Sequence, residues 1–256
     1  MDQSFCILGT SSGLPVADKA TSGYLFKNGK SLTVLDCGGG VTQSFLRRGY
    51  NPVHIDRIFI SHTHSDHVCE LPLLIQLIYL SKRTEPIDIY LPEEFIQPFR
   101  NYLQALYLIE EKLPFTINFI AITESSIYND TNIEIQTIQN DHLQKYTDTI
   151  NELQLPNRMQ SFSFLLKMPK AQLLYSSDLA SIQPIKKYLS GLDYLLIDST
   201  HIDISELLDL ESSHSISQII LTHLSSSNQI EESINSALKR GIKNVIVALD
   251  GMEIQL

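Results

Sequence analysis

Ile58-Phe59-Ile60-Ser61-His62-Thr63-His64-Ser65-Asp66-His67 is the stretch on which the reading of this chain turns. Ile58 to Ser61 are apolar or small and read as a short buried strand. His62, His64, Asp66 and His67 then crowd four metal-capable side chains into six positions. Imidazole and carboxylate together suit zinc and similar divalent first-row metals. A lone histidine is usually structural or solvated. Three histidines and an aspartate in His-x-His-x-Asp-His order, directly after an apolar strand, form a ligand pattern. The Leu, Ile and Tyr run from Val68 to Leu80 reads as a buried helix packed behind the loop. One small ion takes four to six ligands, and a catalytic ion leaves a position open for water. Four ligands from one loop, with further candidates downstream, therefore favour two ions. Two ions about 3.5–4 Å apart can share a hydroxide and clamp a phosphoryl group.

Upstream, residues 4–9 read as a first strand, followed by a turn-rich loop from Thr10 to Pro15. Residues 22–27 and 31–36 form a hairpin around Asn28-Gly29, a strong two-residue turn signal. Asp36 lies just before Gly38-Gly39-Gly40, where it could cap a helix over about 41–48. Downstream, 87–91 reads as a strand, and Pro92-Glu93-Glu94 opens a helix. Phe95, Phe99, Tyr102, Leu103 and Leu106 recur there at helical spacing, and Pro98 marks its early part as irregular. Strand-like runs cover 115–122 and 133–139, the second ending at Asn140-Asp141-His142. Residues 143–160 are polar, contain Pro156 and read as a mobile connection. Strands over 161–168 and 171–177 lead to Asp178, a position equally suited to a helix N-cap. A strand from Tyr194 to Ile197 precedes Asp198-Ser199-Thr200-His201, and Gln218 to Leu221 precedes Thr222-His223-Leu224-Ser225. A helix near 228–240 and a strand over 244–249 close the domain.

At 256 residues the chain is expected to be a single domain, 1–256. Its 43% hydrophobic and 19% charged composition is that of an ordinary soluble globular protein. It has no apolar run of about 18 residues to span a membrane. Met1-Asp2-Gln3-Ser4 lacks the basic flank of a secretory signal, so the cytoplasm is the expected compartment. Cys6, Cys37 and Cys69 are odd in number and widely spaced, which argues for packed thiols and against a disulfide framework. Net charge is −10, and the basic pairs Arg47-Arg48, Lys82-Arg83, Lys186-Lys187 and Lys239-Arg240 are scattered. Nucleic-acid binders usually concentrate such charge on one face.

These residues resemble the metallo-β-lactamase fold superfamily, whose signature is His-x-His-x-Asp-His. Within it the chain is most similar to the ribonuclease Z-like phosphodiesterase branch. The likeness rests on Leu8-Gly9-Thr10 with Ser12-Gly13-Leu14-Pro15, on Leu35-Asp36-Cys37-Gly38, on Ile60 through His67, and on Leu221-Thr222-His223-Leu224-Ser225. It implies an α/β fold, the four-layer αββα sandwich. It also implies that His62, His64 and His142 hold one ion, that Asp66, His67 and His223 hold the other, and that Asp178 bridges both. Asp36 would support the ligand loop from behind. Asp66 and His214 are the catalytic candidates, His214 as the proton donor.

Two departures from that branch stand out. The branch carries a His-Glu-Ala-Thr segment where this chain has Asp198-Ser199-Thr200-His201, so the glutamate that orients the catalytic histidine is missing. Either Asp198 or His201 substitutes, or the acid works differently. The long glycine- and basic-rich arm that holds transfer RNA is also absent between 81 and 200. The expected activity is therefore metal-dependent hydrolysis of a small cyclic or linear phosphodiester through a metal-bridging hydroxide. The alternatives are trimming of transfer-RNA 3′ ends, hydrolysis of a thioester or lactam, and a non-catalytic sensory module. Zinc is the expected metal, with manganese or iron compatible with the same ligands. The expected partner is a small phosphodiester, with RNA less favoured and no membrane, and the resemblance also implies that the chain can pair as a homodimer.

Overall fold

The computed structural model describes residues 3–203, 206, 215–225, 234–235, 238–239 and 242–256. In chain order its elements are β1 (Gln3–Gly9), β2 (Gly23–Asn28), β3 (Ser31–Cys37), α1 (Val41–Arg47), β4 (Ile55–Phe59), α2 (Ser65–Val68), α3 (Leu71–Leu80), β5 (Ile87–Pro92), α4 (Glu93–Ala105) and β6 (Ile117–Ile122). There follow β7 (Ile127–Asn129), β8 (Glu134–Gln139), α5 (Thr147–Leu153), β9 (Phe162–Lys167), β10 (Gln172–Tyr175), β11 (Tyr194–Asp198), β12 (Gln218–Thr222), β13 (Val245–Val247) and β14 (Glu253–Gln255). They fall into two compact units, Met1–Ile122 with Leu249–Leu256, and Thr123–Ala248.

The first unit holds a seven-stranded sheet in the order β14-β1-β2-β3-β4-β5-β6. Its β14 to β3 half is antiparallel and its β3 to β6 half parallel. The parallel half is apolar because helices cover it: Ile58, Ile60, Ile89 and Leu91 join Leu71, Ile75 and Ile78 of α3 and Phe99 and Leu103 of α4 in one core. The second unit repeats the plan with the order β13-β12-β11-β10-β9-β8-β7. There β7 to β10 are antiparallel and β10 to β13 parallel. Leu174, Leu195, Ile197, Ile219 and Leu221 pack with Leu179, Ile182 and Ile185 in its core. Loops that leave the carboxyl ends of parallel strands carry most of the metal-capable residues, the general place for ligands in open α/β sheets, while His142 follows the antiparallel β8.

Several elements differ from the sequence reading. The metal-loop strand begins at Ile55 and ends at Phe59. The helix expected over Val68–Leu80 breaks at Cys69-Glu70 into α2 and α3, because Pro72 has no N–H and suits a first turn. Helix α4 runs straight through Pro98, so its early part is regular. The connection over 143–160 is not wholly irregular: a 3₁₀ turn over His142–Tyr146 runs into α5. Only part of the helix expected near 228–240 lies among the described residues. The strand expected over 244–249 forms as β13 in the second sheet, and a further strand, β14, returns to pair with β1. No helix among the described residues is long and apolar enough to cross a membrane.

Candidate metal centre

In the first unit the ligand loop starts where β4 stops. Ile60 N–H still donates to Tyr90 O at 2.9 Å, so the backbone stays in register with the sheet for one residue more. Ser61, His62 and His67 are buried. His64 occupies the N-cap position of α2, and Asp66 falls in its first turn, where a carboxylate is favoured. The His62 ring centroid lies 4.8 Å from that of His64 and 4.1 Å from that of His67. His67 Nε2 is 3.6 Å from Asp66 Oδ2.

Asp36, fully buried at the end of β3, braces this loop. Its Oδ1 accepts the Ser61 N–H at 2.7 Å, and its Oδ2 accepts the Ser61 hydroxyl at 2.8 Å. The same Oδ2 lies 2.8 Å from His67 Nδ1. A carboxylate there favours the tautomer with the proton on Nδ1, which leaves Nε2 open to a metal. Ser61 Oγ sits 3.1 Å from His62 Nδ1 and orients that ring in the same way. Asp36 does not cap α1. That helix starts from Gly40 at φ 85°, and Glu70 supplies the acceptors instead, to Gly40 N at 2.7 Å and Thr42 N at 2.8 Å. Cys69, near the loop, is an exposed free thiol, so it is not the packed residue expected. Cys6 and Cys37 are buried, and burial pushes both thiols up from their ordinary pKa.

In the second unit, His142 follows β8, Asp178 follows β10, Asp198 ends β11 and His223 follows β12. Asp178, 2% exposed, turns its two oxygens to different rings. Oδ2 is 3.5 Å from His142 Nε2, and Oδ1 is 3.4 Å from His223 Nε2. Asp198 takes up the opposite nitrogen of His223, with Oδ1 3.3 Å from Nδ1. Its Oδ2 lies 2.9 Å from His201 Nδ1, and Oδ1 accepts the Thr200 N–H at 2.8 Å. Burial pushes the Asp198 pKa up, but hydrogen bonds from His201 and His223 outweigh it and leave the carboxyl well below the usual range. His201 is 3.8 Å from Asp178 Oδ2, and its ring stacks 5.2 Å from that of His223. No described helix begins at Asp178, which excludes the plain N-cap role. His214 lies outside the described residues.

Three supporting residues escaped sequence reasoning. Asn140 is buried, receives the His142 N–H at 3.3 Å and donates to Ser163 Oγ at 3.1 Å. Asp141 accepts the Ala180 N–H at 2.9 Å and the Ser181 N–H at 3.2 Å, tying the His142 loop to the Asp178 loop. Asn140 and Asp141 stood beside a candidate ligand, which was a usable signal. Ser163, in mid-strand, offered none.

Asp36, Ser177 and His223 all have left-handed backbones, at φ 59°, 51° and 56°. Non-glycine residues enter that region at a cost and persist where the surroundings over-determine them, as they do at functional sites.

The donor chemistry fits divalent metal. The first unit offers three imidazoles and a carboxylate braced from behind. In the second, ligand atoms of Asp178, Asp198, His201 and His223 all lie within 4.8 Å of one another. Mixed nitrogen and oxygen donors, with carboxylates behind the imidazoles, suit a divalent metal.

Known proteins agree with this reading. A ribonuclease Z of Shouchella clausii (strain KSM-K16) is 24% identical over 95% of this chain and 94% of its own. Among solved structures, the metallo-β-lactamase fold protein YhfI of Bacillus subtilis matches with a TM-score of 0.78 at 19% identity, covering 99% of both chains. The short form of human tRNase Z (ELAC1) matches with a TM-score of 0.72 at 19% identity, covering 98% of both. The α/β metallo-β-lactamase fold and the ribonuclease Z-like branch expected from the sequence are thus both supported. The family model described as "Anti-Pycsar protein Apyc1" matches residues 3–239. With its fold and its histidine and aspartate clusters, this chain is a metal-dependent hydrolase that belongs to the Apyc1 family.

Proposed function

We propose that this protein is a dinuclear phosphodiesterase acting on a small cyclic or linear phosphodiester. The observation that carries the reading is Asp178, a buried carboxylate whose two oxygens face two different histidines. One carboxylate offering an oxygen to each side is the arrangement a bridging ligand requires. His62, His64 and His142 would hold one ion, Asp66, His67 and His223 the other, with the two units working as one hydrolase domain over 1–256. Bound there, two divalent ions, zinc by preference, supply Lewis acidity that lowers the pKa of water and offsets phosphate charge.

The chain's own groups do the rest. Asp36 keeps the His67 proton on Nδ1, and Asp198 does so for His201. Asp198 thereby takes the place of the missing orienting glutamate. His201, so held, would pass a proton from Nε2 to the leaving oxygen, the role otherwise expected of His214. The substrate is small because the chain is acidic and offers no basic arm. Two cationic side chains are engaged within the fold: Arg83 is buried and donates to the carbonyls of Glu85 and Pro86, and Lys167 pairs with Glu134 at 2.7 Å. A cytoplasmic location and homodimeric pairing complete the proposal.

The test is elemental analysis of protein purified without chelator, together with hydrolysis of bis(p-nitrophenyl) phosphate. About two ions per chain are expected, with turnover lost on chelation and restored by zinc or manganese. Less than one equivalent, with no gain on adding metal, overturns the dinuclear reading.

A further inference from the structure

The basic pair Lys186-Lys187 has no part in the proposed reaction, and the fold sets it in the lining of a groove. This concavity of about 660 Å³ lies wholly within the second unit and has the size of a small-molecule site. Its lining comes from two segments, each fixed to the sheet. Thr137 of β8 staples the first, the turn before β7. Its hydroxyl donates to Thr123 O at 2.9 Å and its N–H to Ser126 O at 3.0 Å. That turn brings Glu124 to the groove, together with Gln139 at the end of β8. The second segment is held by Ile182, Ile185 and Leu189, which are buried in the unit's core. Asp141 also ties it down, accepting the Ser181 N–H and hydroxyl. This segment brings Gln183, Lys186 and Lys187 to the groove, all exposed.

The polar groups of this lining have no other work. Among the described residues Glu124, Lys186 and Lys187 enter no ion pair, and the carboxamides of Gln139 and Gln183 make no hydrogen bond. Lys187 Nζ lies 4.9 Å from the Tyr188 ring centroid, an attraction that restrains the ammonium. Two ammonium groups against one carboxylate make the lining positive, in a chain whose net charge is −10. Such a patch draws anions to itself from the solvent within a Debye length. The volume is larger than a bare ion fills. Carboxamides and a carboxylate suit hydroxyl groups, which donate to Glu124 and both donate to and accept from Gln139 and Gln183.

We propose that this groove is a second binding site, for a small hydroxylated anion whose charge comes from a phosphomonoester or a carboxylate. Lys186 and Lys187 take the anionic head, and Glu124, Gln139 and Gln183 take the hydroxyls. None of the candidate metal ligands lines the groove, so this site is distinct from the proposed reaction centre.

Calorimetric titration of the metal-loaded full chain tests it, with sorbitol 6-phosphate, gluconate and inorganic phosphate as probes. The first two carry similar hydroxyl chains and differ in the anionic head, so they separate the two sources of charge. At least one of them should show a binding event that weakens roughly tenfold or more in Lys186→Gln/Lys187→Gln, as loss of hydrogen bonds to charged groups implies. Lys30→Gln/Lys170→Gln removes the same charge from exposed positions outside the groove and should keep that event. An anion held at the metal centre persists in both variants and is thereby told apart. Turnover of bis(p-nitrophenyl) phosphate without added probe should be the same in both variants as in the wild type. Equal weakening in the two variants, or no binding event that depends on Lys186 and Lys187, overturns the site. Inorganic phosphate bound there as tightly as the hydroxylated probes overturns the ligand class.

Discussion

Asp178 has no apolar work to do: it is buried, yet its oxygens face rings and no packed aliphatic surface. Asp178→Ala is therefore expected to lower kcat/KM by more than about a hundredfold, beyond the loss typical of residues that only support a metal ligand. The thermal midpoint of the metal-free protein should stay close to wild type. Near-wild-type turnover with both ions bound would remove Asp178 from the site. Asp198 offers a test of a different kind. Its pKa is held below the ordinary 3.8 by His201 and His223, so folding favours its ionised form. The stabilisation is then fully present above the unfolded value and is lost as pH falls through the lower folded value. Unfolding free energy should drop as pH is taken from about 5 towards 2, and the drop should be shallower in Asp198→Asn. Identical acid profiles for the two proteins would contradict the assignment.

At the scale of elements, the turn after β3 is tied to the metal loop through Gly38. A Cβ there would stand 1.9 Å from the Asp66 carbonyl oxygen and 2.2 Å from Thr21 Oγ1, distances that require the backbone to move. Gly38→Ala is expected to cost about 1–3 kcal/mol, as overpacking does, and to weaken metal binding because the displaced backbone belongs to Asp66, a proposed ligand. Urea unfolding with and without metal separates the two effects; wild-type values in both would refute the coupling. Elements with a strong pattern were legible from sequence. The apolar run before His62 located a strand, and Asn28-Gly29 located a hairpin. Helix α5 was not legible because Thr147–Leu153 buries no side chain and so has no apolar stripe to read. Strands β7 and β14 span three residues each, too few for alternation to register. Glu70 as the cap of α1 was hidden for another reason: the acceptor comes from 30 residues away and only folding brings it there. The candidate site could be proposed from sequence because ligand chemistry is local to strand ends. Its bracing residues, such as Ser163, depend on contacts across the sheet.

For the molecule as a whole, charge decides between substrates of different size. A transfer-RNA processor offsets dense phosphate charge with lysines and arginines, each contact adding to a steep salt dependence. This chain carries a net −10, so a small diester should have the higher specificity constant even at low salt, where RNA binding is most favoured. Precursor transfer RNA preferred by tenfold or more, about 1.4 kcal/mol of transition-state preference, would replace the proposal with the ribonuclease reading. The return of β14 to β1 has a bearing on how the chain is made. Asp250 clasps Thr10 from 240 residues along the chain, and Ser4, Phe5 and Cys6 pair with Gln255, Ile254 and Glu253. During vectorial synthesis the ribosome therefore releases β1 long before the strand that covers its edge. Throughout that interval the nascent sheet presents an open row of peptide groups, a template for pairing with other chains, so the later-made β14 acts as the latch that ends the exposure.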